Sequence, residues 1–332
     1  MRKLIFSCLS ALVVLLPALT GAALASPETL VPIGHTVGID MCLQGVMVEG
    51  FCTVENAGET CSPASKAGLL PGDVITRVNG SPIDSAKAFQ QAAETFDEHI
   101  VTLTVTRAGE TLQFDVTPAE DAEGRRLLGL WLRDSVAGIG TVTWYDPATG
   151  AYGALGHGIC DPASGAVMPL NKGQLLESTV TGVVKGAAGS PGELCGSFSE
   201  GKVLGSIEGN TCFGIFGTME TPPTAGDALP VAECGEISTG EAEILANISG
   251  GSVERFDIEI RRIYDEADSG RDMLIRVTDP DLLSVTGGIV QGMSGSPILQ
   301  DGKLIGAVTH VLVNDPTTGY GIFIENMLDA AG

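Results

Sequence analysis

Residues 292–313 decide the fold. They read Gly292-Met293-Ser294-Gly295-Ser296-Pro297, then Ile298-Leu299-Gln300, the turn Asp301-Gly302-Lys303, and an apolar run from Leu304 to Val313. An Asp-Gly step between two apolar runs is a hairpin signal. The hexapeptide ahead of it has the composition of a nucleophile turn. A nucleophilic serine needs an exposed hydroxyl on a tight turn whose backbone amides converge on one point, where an oxyanion forms after attack on a carbonyl. Glycines on both sides allow that backbone and leave room for substrate. Ser294 is therefore the candidate nucleophile, and the amides of Gly292 and Ser294 are the candidate oxyanion donors. A Gly-x-Ser-x-Gly elbow does not fit, because Ser296 stands where that pattern needs glycine and a strand pair follows.

The general base must come from elsewhere in the chain, which has four histidines, His35, His99, His157 and His310. His157 lies in Ala154-Leu155-Gly156-His157-Gly158, at the end of a strand-like run. Its small neighbours let an imidazole reach a nucleophile from a separate β-unit, so His157 is the candidate base. His310 follows the hairpin and reads as a wall of the substrate cleft or a satisfied core residue. A third group must hold the imidazole tautomer. Asp257, Asp265, Asp268, Asp272, Asp279, Asp281 and Asp315 all fit by chain position, and spacing selects none of them.

From Leu127 onward short β-like runs and frequent glycines predominate, including Ile139–Tyr145, Ala151–Leu155 and the alternating Phe256–Tyr264. That pattern predicts an all-β domain. The serine turn followed by a hairpin resembles the nucleophile segment of chymotrypsin-like serine peptidases, which implies a double β-barrel over residues 127–332. Met293 stands where digestive members carry an aspartate, so activation through an N-terminal salt bridge is not expected.

The first half reads differently. Residues 30–118 alternate β-patterned runs with turn residues. Val37 to Val48 is expected as a hairpin about Gln44-Gly45, Ser85 to Phe96 as a helix, and Val101–Thr106 with Leu112–Val116 as a strand pair. Between them, Ser62 to Gly80 carries Ala67-Gly68-Leu69-Leu70-Pro71-Gly72-Asp73-Val74-Ile75 and closes on Asn79-Gly80. This segment resembles the centre of a PDZ domain, a β-sandwich with helices. Such a domain adds a peptide C-terminus as a strand to a sheet edge and holds its carboxylate with loop amides. By that resemblance the loop is Gly34-His35-Thr36-Val37-Gly38-Ile39. Residues 119–126 are charged and aperiodic and read as a linker.

Composition bounds the rest. The 332 residues carry 18 Lys+Arg against 41 Asp+Glu, a net charge of −23, with 44% hydrophobic residues. Disorder is excluded by that hydrophobicity, and binding to nucleic acid by the shortage of cations. Met1-Arg2-Lys3, an apolar run from Leu4 to about Leu24, and Ala23-Leu24-Ala25 have the layout of a secretory signal peptide over residues 1–25; the run also has the length of an uncleaved anchor. Either reading exports the body. Outside that segment lie Cys42, Cys52, Cys61, Cys160, Cys195, Cys212 and Cys234. Cys52 and Cys61 are spaced to close a short loop, with buried free thiols as the other reading. No Cys-x-x-Cys occurs, so a structural zinc site is not expected, and the serine mechanism read above needs no metal or organic cofactor. The acidity hints at targets with basic segments.

Taken together, the chain resembles the stage IV sporulation protein B peptidases (SpoIVB type, peptidase family S55). The resemblance rests on Gly138-Ile139-Gly140-Thr141-Val142-Thr143, Tyr145-Asp146-Pro147, Ala154 to Gly158, Thr286 to Pro297, Gly306 to Val311 and Val313-Asn314-Asp315-Pro316. It implies Ser294 as nucleophile, His157 as base and Asp279 as the acid, with Asp281 as its close neighbour. It implies an exported enzyme, soluble or membrane-anchored, in the space between mother cell and forespore. Its protein substrates would be itself and membrane-bound regulators of an intramembrane protease, in signalling that leads to a late sigma factor. Peptide C-termini and a second copy are the partners expected for the PDZ domain. A non-catalytic PDZ scaffold and an envelope-stress peptidase are the alternative readings.

Overall fold

The computed structural model describes residues 29–56, 59–97, 99–162, 164–223, 226–264 and 270–332. The expected signal or anchor lies outside these residues, as do Asp265 and Asp268. Among the described residues no helix is long and apolar enough to cross a membrane.

Two long strands organise the molecule. β1 (Thr29–Pro32) leads into β2 (Thr36–Phe51), a strand of 16 residues. The hairpin expected about Gln44-Gly45 does not form. Gly45 serves a close approach instead: a Cβ there would sit 2.6 Å from the carbonyl oxygen of Ile75. Beyond β2 the chain builds the PDZ module from α1 (Pro63–Lys66), β3 (Val74–Val78), α2 (Ala86–Ala93), β4 (Val101–Arg107) and β5 (Glu110–Val116). α2 begins where Ser85 caps it, its side chain accepting from the amide of Ala88. Val46, Val48, Leu69, Ile75, Leu103 and Val105 form the core of this module. The segment expected as a linker is tied down, because Ala119–Glu120 pairs with Arg126–Leu127.

The second long strand, β6 (Leu130–Tyr145), runs antiparallel to β2 from Leu130 opposite Phe51 to Thr141 opposite Thr36. Both strands are shared. Val46–Phe51 and Leu130–Arg133 complete the PDZ sheet, whereas Thr36–Leu43 and Ser135–Tyr145 belong to the next layer. That layer adds β7 (Ala151–Ala154), β8 (Leu170–Val184), β9 (Glu193–Ile207) and β10 (Gly214–Thr218). It curls into a half-barrel around Val37, Ile39, Val142, Tyr152, Leu175 and Ile215. The PDZ module is thus inserted within the half-barrel, between its strands β2 and β6, rather than preceding it.

The remaining chain forms β11 (Gly240–Ser249), β12 (Ser252–Ile263), β13 (Met273–Val277), α3 (Pro280–Thr286), β14 (Pro297–Gln300), β15 (Lys303–Leu312), β16 (Asp315–Phe323) and α4 (Ile324–Ala331). Six strands close into a barrel in the order β11-β12-β13-β16-β15-β14. Ile244, Ile258, Ile275, Ile298 and Met293 fill it; burying a side chain of that size contributes about 1.5–3 kcal/mol. The β14–β15 hairpin turns at Asp301 and Gly302, both at positive φ (51° and 77°), as an Asp-Gly step favours. The molecule is therefore mainly β, a PDZ module joined to a closed barrel and a half-barrel.

Candidate active site

The nucleophile turn lies where the two barrels meet. Gly292 and Gly295 take positive φ values of 95° and 96°, and Met293 between them is fully buried in the closed barrel. The amides of Met293, Gly295 and Ser296 are engaged by Val290, Val308 and Met293 carbonyls. Those of Gly292 and Ser294 have no acceptor among the described residues. Two unengaged amides flanking a serine are the donor pair that an oxyanion needs. Ser294 Oγ itself donates to the carbonyl of Thr309 at 2.7 Å.

Thr141 on β6 fixes this turn from the half-barrel side. Its hydroxyl donates to Gly292 O at 2.8 Å, and its amide donates to Ser294 O at 3.1 Å. Its carbonyl accepts from Leu155 in the histidine turn. Gly295 has no freedom to be larger, since a Cβ would lie 2.1 Å from Thr141 O. Neither Thr141 nor Thr309 is visible as functional from local sequence, because each acts through partners distant in the chain.

His157 follows a strained turn. Leu155 has φ 71°, and unlike Asn79, Ala108 and Asp301, the other non-glycine residues at positive φ, it does not sit in a hairpin. The turn brings His157 and Ser294 to line one cleft. His157 Nδ1 lies 2.9 Å from Gly158 O, which fixes the tautomer with the proton on Nδ1 and leaves Nε2 as an acceptor. Burial pushes the His157 pKa below its ordinary value, against the opposing pull of the Gly158 carbonyl. The ring of His310 lies 5.0 Å from that of His157, centroid to centroid. Its pKa is pushed down to about 4 by burial, with His157 and Arg271 adding to the effect.

The acid expected from the family resemblance is placed elsewhere. Asp279 caps α3: its side chain accepts from the amides of Asp281 and Leu282, both at 2.9 Å. A helix N-cap is the physical reason for an Asp-Pro at that position. Asp281 lies in the first turn of α3, Asp272 accepts from Phe323 N and Asn326, and Asp315 from Thr317 and Thr318. None of these carboxylates is hydrogen-bonded to His157.

The loop expected to hold a peptide carboxylate is also placed elsewhere. Val37, Gly38 and Ile39 are paired on one edge with β6 and on the other with β8, so no edge is free to take a peptide. Gly34 N donates to Val142 O, and His35 is buried with Nδ1 2.6 Å from Thr36 O. Thr36 Oγ1 donates to Asn247, joining the two barrels. Ile39 lines the cleft that holds Ser294. Within the PDZ module β6 has an open edge beside α2: among the described residues no strand pairs with its outer side between Leu130 and Asp134, and the other open edge of the sheet, that of β5, lies away from α2 at the far end of the strand order. α2 lies beside it, tied by Ala86 N to Asp134 Oδ2 at 2.8 Å. Leu128, Leu130 and Leu132 share an apolar cluster with Phe89, Ala92 and Ala93 of α2. The amides of Leu128 and Gly129 have no acceptor among the described residues, while their carbonyls take the amides of Ala64 and Cys52. The sequence signal was Leu128-Gly129-Leu130, a glycine between apolar residues just ahead of a strand.

The cleft has a volume of about 480 Å³. Ile39, Ile139, Ile159, Val290, Val311 and Val313 form its walls, and among the described residues no Asp, Glu, Lys or Arg lines it. Cys160 lines the cleft, and all seven described cysteines, Cys52 and Cys61 included, are free. Among the described residues no three His, Cys, Asp or Glu side chains are grouped to hold a metal.

Comparison with known proteins agrees with this architecture. The profile of the SpoIVB peptidase S55 family matches residues 124–328, and a PDZ domain profile matches residues 56–107. The chain is 39% identical over 74 residues to a zinc metalloprotease of Neisseria meningitidis, covering 22% of this chain and 17% of that protein. It is 35% identical over 103 residues to the zinc metalloprotease RasP of Shouchella clausii, covering 31% and 24%. The chain thus spans less than a quarter of the length of these relatives. Among solved structures, the PDZ domain of an SdrC-like protein from Listeria monocytogenes covers 27% of this chain and 87% of its own, at 24% identity and a TM-score of 0.22. The active form of the Rv3671c protease from M. tuberculosis covers 59% and 75%, at 17% identity and a TM-score of 0.33.

Proposed function

The chain belongs to the SpoIVB peptidase S55 family, and from that premise we propose that it is an exported serine endopeptidase that cleaves itself and extracytoplasmic parts of membrane regulators, in the sporulation signalling that leads to late sigma-factor activation. The observation that carries the chemistry is the convergence of Ser294, His157 and the unengaged amides of Gly292 and Ser294 on one cleft whose described walls are apolar. The Ser294 hydroxyl turns from Thr309 O toward His157 Nε2, which takes its proton as the oxygen attacks a peptide carbonyl. The two amides receive the oxyanion. His157 then protonates the leaving amine, and water releases the acyl group by the same route in reverse. The apolar walls favour extended substrates with apolar side chains around the scissile bond.

The PDZ module captures a peptide C-terminus along the open edge of β6, with its carboxylate on the amides of Leu128 and Gly129. The free edge, the neighbouring α2 and the two free amides support that reading. Capture raises the local concentration of substrate at the cleft.

The test compares wild type with Ser294→Ala for self-cleavage, labelling by a fluorophosphonate and rescue of a late-sigma reporter in a strain lacking the gene. Wild type should label, cleave and restore the reporter, and the variant should do none of these. Equal labelling and cleavage would reject the peptidase mechanism. Transcription confined to vegetative growth would reject the sporulation role.

A further inference from the structure

Thr141 stands between the two turns that carry the chemistry. Its hydroxyl and amide hold the carbonyls of Gly292 and Ser294, and its carbonyl holds the amide of Leu155, two residues before His157. It is fully buried, and it sits on the strand whose other end forms the open edge of the PDZ groove. Ten residues of continuous β6 separate Leu130 from Thr141. The register against β2 slips twice, between Trp131 and Leu132 and between Arg133 and Ser135, where the strand passes from PDZ module to half-barrel. Such bulges bend and twist a strand locally.

We propose that Thr141 is a positioning residue for the oxyanion turn, and that β6 passes the occupancy of the PDZ groove to that turn through it. This rests on the peptidase and groove readings above. The bistable element is the Ser294 hydroxyl. In this structure it is held on Thr309 O, and catalysis requires it on His157. A peptide added to β6 hydrogen-bonds the strand just N-terminal to and across its two bulges and fixes their twist. Thr141 then carries that change to Gly292 O and Ser294 O, which turns the intervening amides and the serine together. A ligand shifts such an equilibrium only by its differential affinity for the two arrangements. The differential contact here is the strand pairing itself, which a straightened or twisted β6 edge satisfies unequally.

The experiment uses the full chain, a short chromogenic substrate and a fluorescent peptide with an apolar C-terminal residue, as free acid and as amide. The free acid should bind and raise kcat several-fold, and the amide should do neither. Thr141→Val keeps the side-chain shape and removes one hydrogen bond. It should lower basal kcat about five- to tenfold with KM unchanged, the effect of losing one such bond. It should also abolish the response to peptide while still binding it, with a Kd that differs from wild type by no more than the fold by which peptide raises wild-type kcat. Thr141→Ser should restore both properties, and a melting transition near that of wild type in all variants excludes misfolding as the cause. Wild-type kcat in Thr141→Val overturns the positioning role. Bound peptide with unchanged kcat in wild type overturns the coupling. A wild-type chain that fails to bind the free acid rejects the groove reading and the coupling with it, and activity retained in Ser294→Ala rejects the peptidase reading.

Discussion

Ser294 Oγ donates a 2.7 Å hydrogen bond to the backbone carbonyl of Thr309, one residue from His310 and on the strand that walls the cleft. The proposed nucleophile is therefore held by the closed barrel, while the proposed base comes from the half-barrel. Ser294→Ala removes one hydrogen bond from a partly buried site, worth about 0.5–1.5 kcal/mol. It also removes the hydroxyl proposed to form the acyl-enzyme. We expect peptidase activity to fall on the order of 10³-fold or more, with a melting temperature within a few degrees of wild type. Assay of a chromogenic peptide beside a thermal melt checks both. A variant that loses activity and stability together would show that the serine is structural.

The two imidazoles of the cleft make stability depend on pH. His310 has its pKa pushed down to about 4 by burial, His157 and Arg271, and His157 is shifted in the same direction by burial. In the unfolded chain a histidine titrates near 6.5. Between about pH 6.5 and 4 the unfolded state therefore binds more protons than the folded state, and stability rises with pH across that window. It is fully present above pH 6.5 and is lost as pH falls toward 4. Denaturant midpoints at pH 4.5 and 7.5 measure the difference, and His310→Gln should reduce it. An unchanged difference in that variant would assign the acid sensitivity to other groups.

Asp279 tests what a carboxylate near the nucleophile in sequence does in space. As the cap of α3 it accepts two amides, and asparagine caps about as well as aspartate. Asp279→Asn should keep both stability and kcat. Asp279→Ala should cost about 1 kcal/mol, lowering the melting temperature by about 2–4 °C, with kcat retained in the folded enzyme. A large fall in kcat for Asp279→Asn without loss of stability would place Asp279 in catalysis after all.

These outcomes follow from what local sequence can and cannot encode. The serine turn and the Asp301-Gly302 hairpin were legible because each needs backbone conformations that only particular residues adopt, and all the needed residues are adjacent. The same holds for α2 and its Ser85 cap. Gly45 was misread as a turn because a glycine that permits a sharp bend and one that permits a close approach look alike; only the carbonyl of Ile75 against it tells them apart. The resemblance to PDZ domains points to Gly34–Ile39 as the carboxylate loop, but those residues are paired on both edges. Which neighbours a strand takes is set by tertiary pairing, and β6, arriving after the module, completes its sheet. Asp279-Pro280 carried a readable signal of its own, an N-cap followed by proline at the first helical position.

Substrate preference can be predicted from the walls of the cleft. With no charged side chain among its described lining residues, these walls offer a charged substrate side chain no partner, and an unpaired polar group taken out of water is costly. Peptides with leucine or valine beside the scissile bond should therefore be cleaved faster than those with lysine or glutamate at the same place. Val313 lines the rim and is 49% exposed, so a change there leaves the core intact. Val313→Glu places a carboxylate where a substrate cation can reach it. An exposed ion pair is worth up to about 1 kcal/mol, so the ratio of kcat/KM for lysine over leucine peptides should rise about two- to fivefold, and the effect should shrink in high salt as screening grows. A matched peptide series at low and high ionic strength measures it. A ratio that does not move, or that moves equally at both salt concentrations, would mean that substrate does not pass over Val313.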